Sequence, residues 1–86
     1  MNIAFSSDFN KSYNKLSKKI QAKFDEKIFL FEKDEFDIIL SNHKLHGEYL
    51  GYRSIKITGD IRAIYRIISE DNYYFYKIGT HSELYS

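Results

Sequence analysis

Every histidine, every arginine and every glycine of this 86-residue chain lies after residue 42. The histidines are His43, His46 and His81; the arginines are Arg53, Arg62 and Arg66. Imidazoles move protons near neutral pH, guanidiniums grip two phosphate oxygens through a planar fork, and glycines make the turns that aim both. A phosphodiester-cleaving site needs little more. Arg62 and Arg66 are four apart in a stretch that reads as a strand, so they project from one face, and Lys56 across a hairpin can join them. Three cations on an open sheet face form an electrostatic clamp for phosphate. Taken alone, that pattern more often describes a solvent-facing strand charged for solubility. His81 follows Gly79-Thr80 after the last strand, where a histidine can protonate a leaving group; a lone histidine there more often packs or caps. Asp60 sits in a turn, a common place for Asp on backbone grounds. Tyr52 and Tyr85 could stack on bases, though with eight Tyr in the chain most must be core or ordinary surface. His43 and His46 are three apart, and His81 would be a third ligand in a metal reading. No carboxylate–histidine motif such as H-E-x-x-H accompanies them, so no metal and no cofactor is expected. Phosphate-loop, nucleophile-elbow and dinucleotide motifs are absent.

Such residues need a scaffold, and the length allows one domain, 1–86, with one modest core. Hydrophobic residues make up 43% and aromatics 17%, a globular composition in which eight Tyr and seven Phe supply large buried areas. The absence of cysteine excludes disulfides, thiolate nucleophiles and cysteine zinc sites, and is compatible with a reducing compartment. The amino-terminal segment lacks the apolar run of a signal peptide or membrane span, so no membrane association and a cytoplasmic location are expected. Net charge is only +1, but it is unevenly spread. Residues 1–24 carry +4, 25–40 carry −4, 41–66 carry +3 and 67–86 carry −2. Nucleic-acid binding needs a local basic face rather than a high total, and the two basic segments form one if the fold joins them. For residues 1–24 alone, a solvated helix face is the simpler reading.

The periodicities predict how the scaffold is built. Ile3–Phe5 reads as a short strand. Ser6 or Ser7 then caps a helix with Asp8 in its first turn. Phe9, Tyr13, Leu16, Ile20, Phe24, Ile28 and Phe31 trace one helical face, and Ser17 breaks it into a helical hairpin. The acids Glu32, Asp34, Glu35 and Asp37 mark the end of the second helix, an unusual place for them because a helix C-terminus prefers cations. Beyond Gly47 the period becomes two. Arg53–Thr58 and Ile61–Ile68 read as strands joined by a Gly59-Asp60 turn with Gly in the first position. Glu70-Asp71-Asn72 turns the chain into a third strand, Tyr73–Ile78, followed by Gly79 and a short tail. The expected class is α+β: an amino-terminal helical hairpin packed on a small, mainly antiparallel sheet.

In this order the pieces resemble the RelE/ParE superfamily of type II toxin–antitoxin toxins, and most closely its RelE/StbE and YafQ-like branch. The carrying strings are HKLHG at 43–47, GYRSIKITGD at 51–60, RAIYRI at 62–67 and GTHSELY at 79–85. The helical segment FNKSYNKLSKKIQAKF also resembles the family's first helices, so the likeness spans essentially the whole chain. It implies a helix-on-sheet fold and a cytoplasmic toxin that cleaves mRNA in the ribosomal A site. It also implies a nearby-encoded antitoxin that wraps it, with a monomer when free and a hetero-oligomer with that antitoxin. The ParE branch shares the fold but binds DNA gyrase without nuclease residues, and a catalytically silenced, antitoxin-binding member is a further alternative. The resemblance implies catalytic roles for His43, Asp60, Arg62, His81 and Tyr85. Lys56, Arg62 and Arg66 would hold the substrate phosphate, and Lys56 stands where the YafQ-like pattern has another histidine. The implied reaction is metal-independent: the RNA 2′-hydroxyl attacks, His43 or Asp60 takes its proton, and His81 protonates the departing 5′-oxygen.

Overall fold

A computed structural model describes residues 1–85. The chain runs β1 (Asn2–Phe5), α1 (Ser7–Lys15), α2 (Lys18–Lys33), β2 (His43–Lys44), β3 (Arg53–Lys56), β4 (Ile61–Ser69), β5 (Asn72–Thr80) and α3 (His81–Tyr85). Single 3₁₀ turns at Ile38–Leu40 and Gly47–Tyr49 flank β2. The five strands form one sheet in the order β1-β5-β4-β3-β2. Among the described residues only the β1–β5 pairing is parallel. This is the expected α+β class with its helical hairpin.

Local chemistry explains the helices. Ser6 Oγ accepts from the Phe9 amide at 2.9 Å, which caps α1, and donates to the Tyr76 carbonyl at 2.6 Å, which ties the helix start to β5. Ser17 caps α2 by accepting from the Ile20 amide. Gln21 Nε2 donates to the Tyr13 and Leu16 carbonyls, closing the corner between the helices. Lys33 is the last residue of α2, so the cation preference of a helix C-terminus is met. The acids beyond it serve the loop. Asp34 and Asp37 accept from the Phe36 and Ile39 amides, and the Glu35 carboxylate accepts from the hydroxyls of Tyr65 and Tyr73.

The sheet has two different faces. Ile55, Ile57, Ile61, Ala63, Tyr65, Phe75 and Ile78 pack against Phe9, Phe24 and Phe31 of the helices to make the main core. Ile64 lies on the opposite face with Leu45, Tyr49 and Leu84. A strict period of two would put Phe75 and Ile78 on opposite faces. The register instead jumps from Ile64↔Lys77 to Tyr65↔Phe75, a bulge at Tyr76 that returns Ile78 to the helix side.

Four details differ from the sequence expectations. β3 ends at Lys56, and Gly59 does not take the positive φ that a Gly-first two-residue turn requires. The hairpin closes instead through Thr58. Its hydroxyl accepts from the Asp60 and Ile61 amides, while the Ile57 and Thr58 amides both donate to the Ile61 carbonyl. His43, expected ahead of the sheet, forms its edge strand with Lys44. The presumed tail is a helix, α3, because T-x-x-E at Thr80–Glu83 is a capping box: the Glu83 amide donates to Thr80 Oγ1 at 3.1 Å and the Thr80 amide donates to Glu83 Oε1 at 2.7 Å.

Candidate functional site

Residues directly opposite one another in a sheet share a face. His43 stands opposite Ser54, Ser54 opposite Ile64, Lys56 opposite Arg62, and Arg62 opposite Gly79. That face is the one turned away from α1 and α2. α3 folds across it, held by the buried Leu84 and by the Tyr49 hydroxyl, which donates to the Leu84 carbonyl at 2.8 Å. Burial, followed by the nearby Glu48 carboxylate, raises the Tyr49 pKa, so the phenol remains a donor. Between α3 and the strands lies a cleft of about 130 Å³ lined by His43, Leu45, Ser54, Arg62, His81 and Tyr85.

Each polar group there has a visible orientation. His43 Nδ1 is 3.0 Å from the Ser41 carbonyl, and a carbonyl only accepts. Nδ1 therefore carries the hydrogen, and in the neutral ring Nε2 is left as a proton acceptor. The preceding residue is fixed as well: Asn42 donates to the Tyr65 hydroxyl at 2.7 Å and accepts from Arg53 Nε at 2.7 Å. Arg62 is half-buried, and its Nη1 donates to the Thr58 carbonyl at 2.7 Å, which holds the guanidinium beside the hairpin turn. His81 is the first residue of α3, and its ring centroid lies 4.7 Å from that of Tyr85. Tyr85 in turn meets Tyr49 edge-on at 5.7 Å. Ser54 is fully buried and its hydroxyl has no hydrogen-bond partner among the described residues. The capping box lowers the Glu83 pKa, first through the Thr80 amide and then through the Thr80 hydroxyl, so an ionised carboxylate secures the start of α3.

Of the residues singled out from the sequence, His43, Arg62, His81 and Tyr85 are gathered in this cleft. Lys56 borders it through its pairing with Arg62 and also lines a neighbouring hollow with Lys23 and Lys27. Asp60 is at the exposed tip of the β3–β4 hairpin and does not line the cleft. Arg66 lies four residues along β4, about 13 Å away at strand rise. Its guanidinium sits 5.7 Å from the Tyr52 ring centroid, so it is engaged outside the cleft. His46 lines a different hollow, and no group of three His, Asp or Glu side chains among the described residues is placed to hold a metal ion. Sequence reasoning passed over Ser54 and the Thr80–Glu83 cap. The T-x-x-E spacing signals the cap; nothing local marks Ser54, whose position depends on pairing with both β2 and β4.

The comparisons agree with this fold. Over residues 1–86 the chain matches the family described as the bacterial toxin of type II toxin–antitoxin system, YafQ. The fold is similar to the crystal structure of YafQ from E. coli, with TM-score 0.80 and 23% identity over 99% of this chain and 98% of that one. It is similar to a YoeB/ParE toxin from Agrobacterium tumefaciens, with TM-score 0.79 and 20% identity over 94% and 99%. It also resembles a chain of the E. coli DinJ–YafQ toxin–antitoxin complex, with TM-score 0.77 and 24% identity over 99% and 97%. Among curated proteins none matches. The match over the full length settles the family: this chain belongs to the YafQ toxins of type II toxin–antitoxin systems.

Proposed function

We propose that this toxin is a ribosome-dependent mRNA endoribonuclease that acts without a metal ion. The observation that carries the reading is the joining in one cleft of two imidazoles, one with its Nε2 left as an acceptor, and a guanidinium. His43 Nε2 takes the proton of the RNA 2′-hydroxyl, whose oxygen forms a bond to phosphorus. Arg62, with Lys56 beside it, stabilises the charge that gathers on the non-bridging oxygens. His81 delivers a proton to the 5′-oxygen as its bond to phosphorus breaks, and Tyr85 supports the His81 ring. The products are a 2′,3′-cyclic phosphate and a 5′-hydroxyl. His43 is assigned the base role over Asp60 because only His43 lines the cleft. A shallow cleft cannot by itself hold a flexible strand in line for attack, so the ribosome supplies that positioning. The protein acts in the cytoplasm, and an antitoxin encoded beside it inhibits it as a hetero-oligomer; the DinJ–YafQ complex supports such a partner.

The test is 5′-end mapping of mRNA after brief induction of the wild type and of His81→Ala, with the reporter message translated or untranslated. New 5′-hydroxyl ends that require both His81 and translation are expected. Growth arrest without new ends would replace this reading with a binding mechanism such as gyrase poisoning.

A further inference from the structure

β1 pairs with β5 only over Asn72–Phe75, so β5 from Lys77 to Thr80 runs on without a strand on that side. This open edge faces a groove of about 460 Å³ walled by α1, β5 and α3, larger than the cleft and lined by Lys11, Lys15 and Lys77. Lys11 and Lys15 are one turn apart on the same face of α1, about 6 Å along its axis, a distance that successive phosphates of a stretched single strand span. Lys77 joins them from the strand, its ammonium 5.3 Å from the Tyr76 ring centroid. None of the three has a carboxylate within ion-pair distance among the described residues, where the ion pairs are Met1–Asp71 and Lys23–Glu26. Two acids share the groove. Glu83 is held by the Thr80 amide and hydroxyl, and Asp8 stands in the first turn of α1, where the helix dipole favours it.

We infer that this groove is a second RNA-backbone site, in which Lys11, Lys15 and Lys77 hold phosphodiester groups flanking the one in the cleft. Unpaired ammoniums around a polar concavity suit a polyanion. The direction of the strand follows from α3. His81 and Tyr85 of that helix line the cleft, while Glu83 and Leu84 line the groove, so one five-residue helix separates the two. A strand can pass over its end from one to the other. This continuity rests on the reading of the cleft as the scission site; the charge argument does not. A lysine at a sheet edge is also the ordinary guard against strand addition, and that alone would account for Lys77. It would not account for the two lysines of α1 that line the same groove.

The groove binds phosphates of a message or of ribosomal RNA through the same chemistry, and two measurements separate these sources. The first is anisotropy of a fluorescent single-stranded RNA, made uncleavable by 2′-deoxy substitution, titrated with His81→Ala protein between about 50 and about 200 mM salt. Each phosphate neutralised on a single strand contributes about 0.7 to the slope of log affinity against log salt. Adding Lys11→Gln, Lys15→Gln and Lys77→Gln should therefore lower the slope by about 2. The pair Lys11→Gln, Lys15→Gln, confined to an exposed helix face, should lower it by about 1.4 with an unchanged circular dichroism spectrum. The second measurement is co-sedimentation of the same proteins with message-free ribosomes. Loss in the first assay assigns the groove to the message strand. Loss only in the second keeps the groove as a phosphate site, for ribosomal RNA, and overturns its continuity with the cleft. Unchanged slopes and unchanged sedimentation would overturn the inference and leave the groove to another partner, such as an acidic peptide strand. Because both assays read binding by a cleavage-deficient protein, failure here and failure of the nuclease reading are separate results.

Discussion

At the residue scale, what separates the site from ordinary sheet surface is how the hydrogen bonds are used. His43 gives its Nδ1–H to the Ser41 carbonyl, so its acceptor nitrogen is set by local structure rather than by substrate. Ser54 is the opposite case. Its hydroxyl is buried without a partner, and such a group costs about 1–3 kcal/mol relative to one that is satisfied. Ser54→Ala removes the unmet group and little volume. Its urea unfolding midpoint is expected to stay level or to rise, by up to about 1 kcal/mol in stability. A loss greater than about 1 kcal/mol would show that the hydroxyl finds a partner in solution. Ser54 was invisible as a site residue in the sequence because its alternation with Arg53 and Ile55 marks only a face. Arg62 and His81 were legible by type. Arg66 and Asp60 were legible by type as well, but their distance from the cleft depends on strand length and on a turn closed by Thr58.

At the scale of elements, α3 is the piece on which the site depends most, since it brings in both His81 and Tyr85. Five residues make too short a helix to stand alone in water. It persists through the capping box, the buried Leu84 and the Tyr49–Leu84 hydrogen bond. The Glu83 pKa is lowered in the folded protein, so its contribution is full above the unfolded value and is lost as pH falls through the folded one. Amide exchange protection in α3 is therefore expected to be constant from neutral pH down to about pH 5 and to fall below about pH 4, earlier than protection in β4. Glu83→Gln should flatten that acid response and fray α3 at every pH. A response unchanged by the substitution would mean that the cap does not hold the helix. The two long helices and three main strands could be read from periodicity, because their apolar steps of three and four, or of two, extend over many residues. The two-residue β2, the bulge at Tyr76 and α3 are set by contacts between distant segments. Of these only the T-x-x-E cap leaves a local trace.

At the scale of the molecule, one sheet separates two tasks. The face toward α1 and α2 carries the large core, and the other carries the cleft beneath α3. The aromatic residues that make so small a core possible also impose a pH limit. Tyr65 is fully buried, and its pKa is raised far above the ordinary value, first by burial and then by its hydrogen bond to Glu35. Burial likewise raises Tyr13, Tyr49 and Tyr73, with Asp25, Glu48 and Glu35 respectively adding to it. For an acid whose folded pKa is raised, the folded state favours the protonated form. Its stability contribution is therefore full below the unfolded pKa and is lost as pH climbs above it. Unfolded tyrosine ionises near pH 10, so stability should hold level to about pH 9 and then decline steadily. Tyrosinate absorbance followed during alkaline titration should show some phenols ionising freely and others only together with loss of the far-ultraviolet helix signal. Tyr65→Phe should shift that joint transition to higher pH, while its lost bonds to Glu35 and Asn42 lower stability near neutrality. Ionisation of all eight phenols in a single step ahead of unfolding would show that the Tyr65–Glu35 contact does not restrain the phenol. It would also remove the basis for regarding Asn42, and through it His43, as anchored to the core.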